Sequence, residues 1–281
     1  MLVSIIIPRR SDKTNIEGLL KDISSQKILF IAETIVITGI SPSGKARNNG
    51  AEQAKGDILI FFDCDIRLGN EFVLANLIGA LQEDATIGAV CASILTPATA
   101  SKFQKRYAKE VPHSESPVVE EAKDVAVATS ACCAIRKDVF DKMGRFNYYI
   151  GRGEDPELSS RLIKAGYRVV LVARTWAYHL QPDNLIELIK INIRNGLGAS
   201  FVDAFYPQLN VDVDPKGIIY SAKKISILGR IFRFLVSFLE AIIKGKILLL
   251  LAKVFYLIGY FRGIVEYRIL KLNRPKNNLE K

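Results

Sequence analysis

The sequence of 281 residues is poor in the residues that build metal ribbons and disulfide scaffolds. It has four cysteines, two histidines and one tryptophan. Cys64, Cys91, Cys132 and Cys133 show neither Cys-x-x-Cys spacing nor the density of a secreted disulfide framework, and they suit a reducing compartment, the cytosol. There is no P-loop, because the second glycine and the Lys-Ser/Thr ending are missing after Gly44-Lys45. Internal repeats and low-complexity tracts are absent as well. The first apolar run, Leu2 to Ile7, is too short for a signal peptide. Its charges, Arg9 and Arg10, follow it rather than precede it, so no export signal is expected. In the C-terminal region the longest uncharged apolar stretch is Val254 to Phe261, well short of the roughly 20 residues of a membrane-crossing helix.

What is present is a foldable composition with its charge in one place. Apolar residues make up 49% and charged residues 24%, enough to bury a full core. The net charge is +10. From Lys216 onward there are 14 Lys/Arg against 3 Asp/Glu, a net +11, which leaves the rest of the chain at −1. A nucleic-acid binder would spread its basic charge over the body, so no nucleic-acid partner is expected. The expected organisation is a catalytic domain over residues 1–215 and a basic amphipathic helical tail over 216–281.

Short apolar runs alternate with helical spacing. Strands are expected at Leu2 to Ile7, Thr34 to Thr38, Asp57 to Phe62 and Gly88 to Leu95, and helices at Asn15 to Ser25, Ala46 to Ala54 and Asn70 to Gln82. That order gives an α/β fold with a Rossmann-like, mostly parallel sheet, whose ligands bind beyond the carboxyl ends of the strands. Periodicity fails from Thr96 to Lys123, which reads as a mobile or partly disordered connection. It resumes with a strand from Val125 to Ile135, helices at Lys137 to Met143 and Pro156 to Ala165, and a strand at Val169 to Val172.

Asp63-Cys64-Asp65 directly follows the apolar strand Ile58 to Phe62. Alternation in extended chain would send both carboxylates to one side, where a shared cation relieves their repulsion. Hard oxygen ligands favour Mn2+ or Mg2+; the plain alternative is a strand-end turn. Glu154-Asp155-Pro156 reads either as a helix start, with Asp155 at the N-cap and Pro156 at N1, or as a site with Asp155 as general base. His179 beside Trp176 and Tyr178 is either a packed histidine or a nitrogen ligand. Lys45 and Arg47 near a helix start are either solvated or hold a diphosphate.

Taken in order, these pieces resemble the family 2 glycosyltransferases of the A-type glycosyltransferase fold. The resemblance runs through Ser4-Ile5-Ile6-Ile7-Pro8, Gln26, Ala46-Arg47-Asn48-Asn49-Gly50, Phe61-Phe62-Asp63-Cys64-Asp65, Met143-Gly144-Arg145-Phe146, Gly153-Glu154-Asp155-Pro156 and Tyr178-His179, over residues 1–185. It implies a divalent cation held by Asp65 and His179 with help from Asp63, and donor binding by Pro8, Lys45, Arg47 and Asp63. It also implies Asp155 as catalytic base with Glu154 positioning the acceptor, and inverting transfer from a nucleoside-diphosphate sugar. One departure concerns the nucleobase: the second strand ends Thr38-Gly39-Ile40 without the usual carboxylate, so neither UDP nor GDP is favoured.

In the tail, Arg230, Arg233 and Lys244 fall on one helical face opposite Ile231, Phe234, Phe238 and Ile242, the pattern of a helix lying in a membrane interface. The alternative packs the tail on protein. The first reading places the chain on the cytoplasmic face of a membrane, peripheral or monotopic, against an anionic surface. It favours a lipid-linked or glycan acceptor, and the Thr96 to Lys123 segment, carrying Lys102, Lys105, Arg106 and Lys109, is expected either to close over it or to be a solvated loop. The competing functions are a sugar-phosphate nucleotidyltransferase, against which Pro8-Arg9-Arg10-Ser11 stands where a glycine-rich loop is expected, and a non-catalytic nucleotide-sugar-binding protein.

Overall fold

The computed structural model describes residues 1–112, 114–207, 211–213, 220–224 and 227–272. The first half contains β1 (Leu2–Arg9), α1 (Glu17–Ser24), β2 (Ile31–Thr38), α2 (Ser43–Gln53), β3 (Ile58–Phe62), β4 (Ile66–Leu68), α3 (Val73–Glu83), β5 (Ile87–Leu95) and α4 (Lys102–Glu110). Then come β6 (Lys123–Asp124), β7 (Cys132–Arg136), α5 (Lys137–Lys142), α6 (Glu154–Lys164), β8 (Arg168–His179) and α7 (Leu185–Phe205). The remainder is β9 (Val211–Val213), β10 (Tyr220–Lys224), α8 (Ile227–Ile243), α9 (Ile247–Gly263) and a π-helical turn, Ile264–Ile269.

The central sheet has the order β2-β1-β3-β7-β5-β8-β4, with β6 on β8. Strands β1, β2, β3, β5 and β8 run in one direction, as the alternation of strands and helices requires, and β7, β4 and β6 oppose them. Both faces are covered. Leu19 of α1 and Leu74, Leu77 and Leu81 of α3 pack against Ile5, Ile60 and Val90. On the other face Ala51, Phe140, Leu158 and Leu162 pack against Ile6, Phe61 and Ile135. These strands are buried on both sides, which is why they read as continuous apolar runs rather than alternating ones.

Three local expectations are corrected. The single strand expected from Val125 to Ile135 is broken, because donors between β6 and β7 go elsewhere: Ala128 N–H to Ser159 Oγ (3.1 Å) and Ser130 N–H to Asp155 Oδ2 (2.9 Å). The strand at Val169 to Val172 continues to His179, through a register shift and Arg174 at φ 50°. The Thr96 to Lys123 connection is not structureless. It holds α4, started by a capping box in which Ser101 Oγ accepts from Gln104 N–H and the Gln104 side chain accepts from Ser101 N–H.

Helix α4 also anchors the tail. Glu110 at its end accepts from Leu248 N–H (2.7 Å), supplying a carboxylate to the start of α9. Helix α9 lies directly on α7 through two glycines. A Cβ on Gly196 would stand 1.9 Å from the Tyr256 carbonyl oxygen, and one on Gly259 2.0 Å from that of Ile193. Tyr107, Leu188, Leu248 and Ala252 form one apolar cluster across α4, α7 and α9, spanning the boundary expected at residue 215. Ile247–Ile269 is long and apolar enough to cross a membrane by length and composition, with mean hydropathy 1.8. This corrects the expectation drawn from its interrupting charges.

Helix α8 corrects the tail in a second way. Ile231 and Ile242 point outward as expected, but Arg230 faces the protein and pairs with buried Asp203 (2.7 and 2.8 Å), whose carboxylate also accepts from the Tyr260 hydroxyl. Phe234 and Phe238 are half-buried. Leu228, Ile231, Phe232, Leu235, Val236, Leu239, Ile242 and Ile243 all point outward, 39–83% exposed.

Candidate active site

A cleft of about 750 Å³ opens beyond the carboxyl ends of β1, β2, β3 and β8, lined there by Pro8, Gly39, Asp63, Asp65 and His179. Three features of the chain aim the ligands. The chain turns at Cys64 and Asp65 instead of running on extended, so a turn rather than strand alternation brings the two aspartates together, and Cys64 lines the cleft with them. Next, β4 returns antiparallel to the end of β8 with Ile66 opposite His179, which sets Asp65 beside the imidazole. Finally, α2 sits tightly on β1, where a Cβ on Gly50 would stand 2.4 Å from Ile6 Cγ2; this carries Arg47, one turn earlier on the helix, to the end of β3.

One ligand atom from each of Asp63, Asp65 and His179 lies within 4.8 Å of the others, and His179 Nε2 is 3.4 Å from Asp65 Oδ1. Two carboxylates and one imidazole with this spacing fit a single divalent cation that keeps positions open for phosphate oxygens. Burial pushes the Asp65 carboxyl up, but His179 outweighs it and holds the group below its ordinary value. Burial likewise lowers the His179 imidazolium, and Asp65 with Asp63 reverses this to leave it raised.

Behind that wall lies a second acidic group. Arg47, 3% exposed, donates to Asp63 Oδ1 (2.6 Å) and Glu154 Oε1 (3.1 Å), so it ties the end of β3 to the start of α6. Burial would lower its guanidinium; Asp63, Asp155 and Glu154 together raise it above its ordinary value. Asp155 is not the N-cap. Gly153, at φ 105°, starts α6, and Asp155 turns away to accept from Ser130 N–H, leaving Oδ1 buried without a partner. Burial raises the Asp155 carboxyl to about 6, Arg47 opposing and Glu154 assisting.

The structure thus joins Pro8, Asp63, Asp65 and His179 at the cleft wall and places Arg47, Glu154 and Asp155 just behind it. Lys45 is exposed and does not line the cleft. Of α4 only Gln104 reaches the cleft; Lys102, Lys105, Arg106 and Lys109 do not line it. Arg152, Gln181 and Arg194 were not read from the sequence as site residues, yet they line it. For Arg194 the only signal was a polar cluster, Asn192 to Asn195, inside an apolar helix.

Comparison with known proteins agrees with this geometry. Residues 43–144 match the family described as Glycosyl transferase family 2. No curated protein matches the chain. Among solved structures, mannosyltransferase PcManGT from Pyrobaculum calidifontis, in complex with GDP-Man and Mn2+, superposes with a TM-score of 0.60 at 15% identity, over 93% of this chain and 86% of that one. GalNAc-T7 with UDP, GalNAc and Mn2+ gives 0.53 at 15% identity over 82% of this chain, which spans 53% of it. S. aureus TarS 1-349 in complex with UDP-GlcNAc gives 0.50 at 14% identity, over 76% and 68%. The matched stretch contains Arg47, Asp63 and Asp65, and the sheet around it is that of these neighbours, so the chain has the A-type glycosyltransferase fold, with a stretch similar to family 2 glycosyltransferases at its centre.

Proposed function

We propose that the protein transfers a sugar from a nucleoside-diphosphate sugar to a hydroxyl acceptor with inversion, dependent on Mn2+ or Mg2+. The observation that carries this is the convergence of Asp63, Asp65 and His179 on the wall of a cleft large enough for a nucleotide-sugar. PcManGT and GalNAc-T7, which share the fold, bind nucleotide or nucleotide-sugar with Mn2+. Asp65, His179 and Asp63 would hold the cation, which when bound offsets charge growing on the diphosphate as the sugar–phosphate bond breaks. Arg47 fixes Asp63 from behind and orients it toward that ion. Asp155 takes the proton of the acceptor hydroxyl through Oδ1 while Ser130 N–H steadies Oδ2. Oδ1 is buried without a partner, so this step requires it to be uncovered to the acceptor.

The test is a thermal-shift series with GDP and UDP, each with and without MnCl2, on wild type and Asp65→Ala. Metal-dependent stabilisation by one nucleotide, lost in the variant, supports the reading. Equal responses in the two proteins refute it. Release of pyrophosphate from a nucleoside triphosphate and a sugar phosphate would establish nucleotidyl transfer instead.

The same proposal seats α8 on the cytoplasmic face of an anionic membrane, near a lipid-linked or glycan acceptor. Its eight outward apolar side chains span one continuous face, flanked by Arg233 and Lys244 in a tail of net charge +11. Helix α9 would remain on α7, since the Gly196–Gly259 contact holds it there. Co-sedimentation with phosphatidylserine vesicles should be lost in Leu235→Glu/Leu239→Glu with Tm unchanged; retained binding refutes the docking.

A further inference from the structure

The segment that delivers Glu154 and Asp155 is held by the sheet domain at both ends and by the tail in its middle. At its start Asn48 Nδ2 donates to the Phe146 carbonyl (2.8 Å) and Asn48 Oδ1 accepts from Phe146 N–H (3.0 Å). At its end Arg47 holds Glu154 and Ser130 N–H holds Asp155. Ile150, 1% exposed, belongs to neither core of the sheet. It lies in a separate cluster with Phe201 and Tyr206 around the end of α7 and with Tyr267 of the π-helical turn. A Cβ on Gly153 would stand 3.8 Å from Ile150 Cγ2, so this side chain supports the left-handed residue that starts α6. The Tyr206 hydroxyl hydrogen-bonds the Asn147 side chain, and Arg152 lies against α7 where a Cβ on Gly198 would stand 3.1 Å from its own Cβ.

Gly259, Gly263 and Tyr267 fall at every fourth position, on one helical face. The two glycines let the helix close on α7, where a Cβ on Gly263 would stand 2.5 Å from Ser200 Cβ. The third residue of that face is large. Its ring, 9% exposed, meets Phe201 edge-on at 5.2 Å and Phe205 at 6.0 Å, and it sits in a π-helical turn, a rare form often found at functional sites. We propose that Tyr267 is a positioning residue for sugar transfer, acting through the Phe201–Ile150 cluster to fix the loop before α6 and so the direction in which Glu154 and Asp155 meet the acceptor; this rests on the transfer reaction proposed above. A base displaced by about 1 Å loses rate. Donor affinity is kept, because Asp63, Asp65 and His179 follow or end other elements, β3 and β8.

Hydrogen exchange of the full chain, followed by mass spectrometry, reads the loop, and hydrolysis of GDP-mannose and UDP-N-acetylglucosamine in MnCl2 reads the chemistry. The variants are Tyr267→Ala, Tyr267→Phe and, as a control for a loosened tail, Leu248→Ala in the cluster at the opposite end of α9. Tyr267→Ala should speed exchange in residues 147–153 about tenfold, leave 58–62 unchanged, and lower kcat about tenfold or more with KM changed less than threefold. Tyr267→Phe keeps the ring and should behave as wild type, whereas Leu248→Ala should melt lower with loop exchange and kcat unchanged. Ile150→Ala removes the same contact from the loop side and should repeat the kcat loss, so the test stands even where Tyr267→Ala fails to fold. Unchanged loop exchange in Tyr267→Ala, equal loosening in Leu248→Ala, or a kcat that does not fall in the alanine variants at 150 and 267 overturns the inference. A wild type that hydrolyses neither nucleotide-sugar counts against the transfer reading alone, and the exchange rates still decide whether the tail sets the loop.

Discussion

Replacing Glu154 by glutamine should move the acid limb of the pH–activity profile to lower pH. Asp155 is raised to about 6, firstly by burial and then by the neighbouring Glu154 charge, with Arg47 pulling the other way. A base with that value is mostly ionised at pH 7, and kcat/KM should fall about tenfold per pH unit below 6. Glu154→Gln removes a like charge and also frees Arg47 from one of its partners. Both changes favour the ionised carboxylate, so the limb should shift down by on the order of one pH unit, equivalent to roughly 1.4 kcal/mol. His179 offers a rival explanation, because its protonation would expel the metal. Proton and metal compete there, so a His179 limb moves with Mn2+ concentration and an Asp155 limb does not. The assay is kcat/KM from pH 4.5 to 8 at two saturating Mn2+ concentrations, with Asp155→Asn as control, expected to lose 10²–10⁴-fold. An unshifted limb in Glu154→Gln, or one that follows Mn2+, refutes Asp155 as the titrating base.

The contacts of the tail give two further predictions. Gly259→Ala places a Cβ 2.0 Å from the Ile193 carbonyl oxygen; the clash is with backbone, so a loss near or above about 3 kcal/mol is expected, read as a lower urea midpoint with unchanged m-value. Asp203→Ala leaves Arg230 and the Tyr260 hydroxyl without their shared acceptor; roughly 2–3 kcal/mol should be lost, below the range for fully buried pairs because Arg230 is a third exposed, and differential scanning calorimetry would show the lower Tm.

The parts of this fold legible in the sequence are those where one local pattern has one outcome. The apolar runs behind β1, β3 and β5 have no other place than a sheet covered on both faces, and Asp63 and Asp65 follow β3 without a gap. Legibility failed where a residue's partner is far along the chain. The strand through Val125 to Ile135 looks continuous until Ser159 and Asp155 take two of its donors. Helix α4 carried its signal in the open, a Ser101-x-x-Gln104 capping box, but scattered prolines concealed it. For α8 the amphipathic pattern was visible; the side that meets protein was not, since that depends on Asp203 of another helix.

The same distinction explains why Asp155 reads so ambiguously alone. Aspartate before proline in sequence is an ordinary cap, and only the left-handed Gly153 shows that the cap has moved two residues earlier. That shift puts three carboxylates, those of Asp63, Glu154 and Asp155, around the single guanidinium of Arg47. One positive charge does not balance three negative ones in a partly buried setting. A divalent cation beside Asp63 would relieve the excess on one side, and on the other it shows as the Asp155 carboxyl raised to about 6. Metal affinity and base strength are therefore both tuned by one shared residue: without Arg47 the uncompensated carboxylates would draw a cation more strongly at Asp63 and push the Asp155 carboxyl further up, leaving less of it ionised at pH 7.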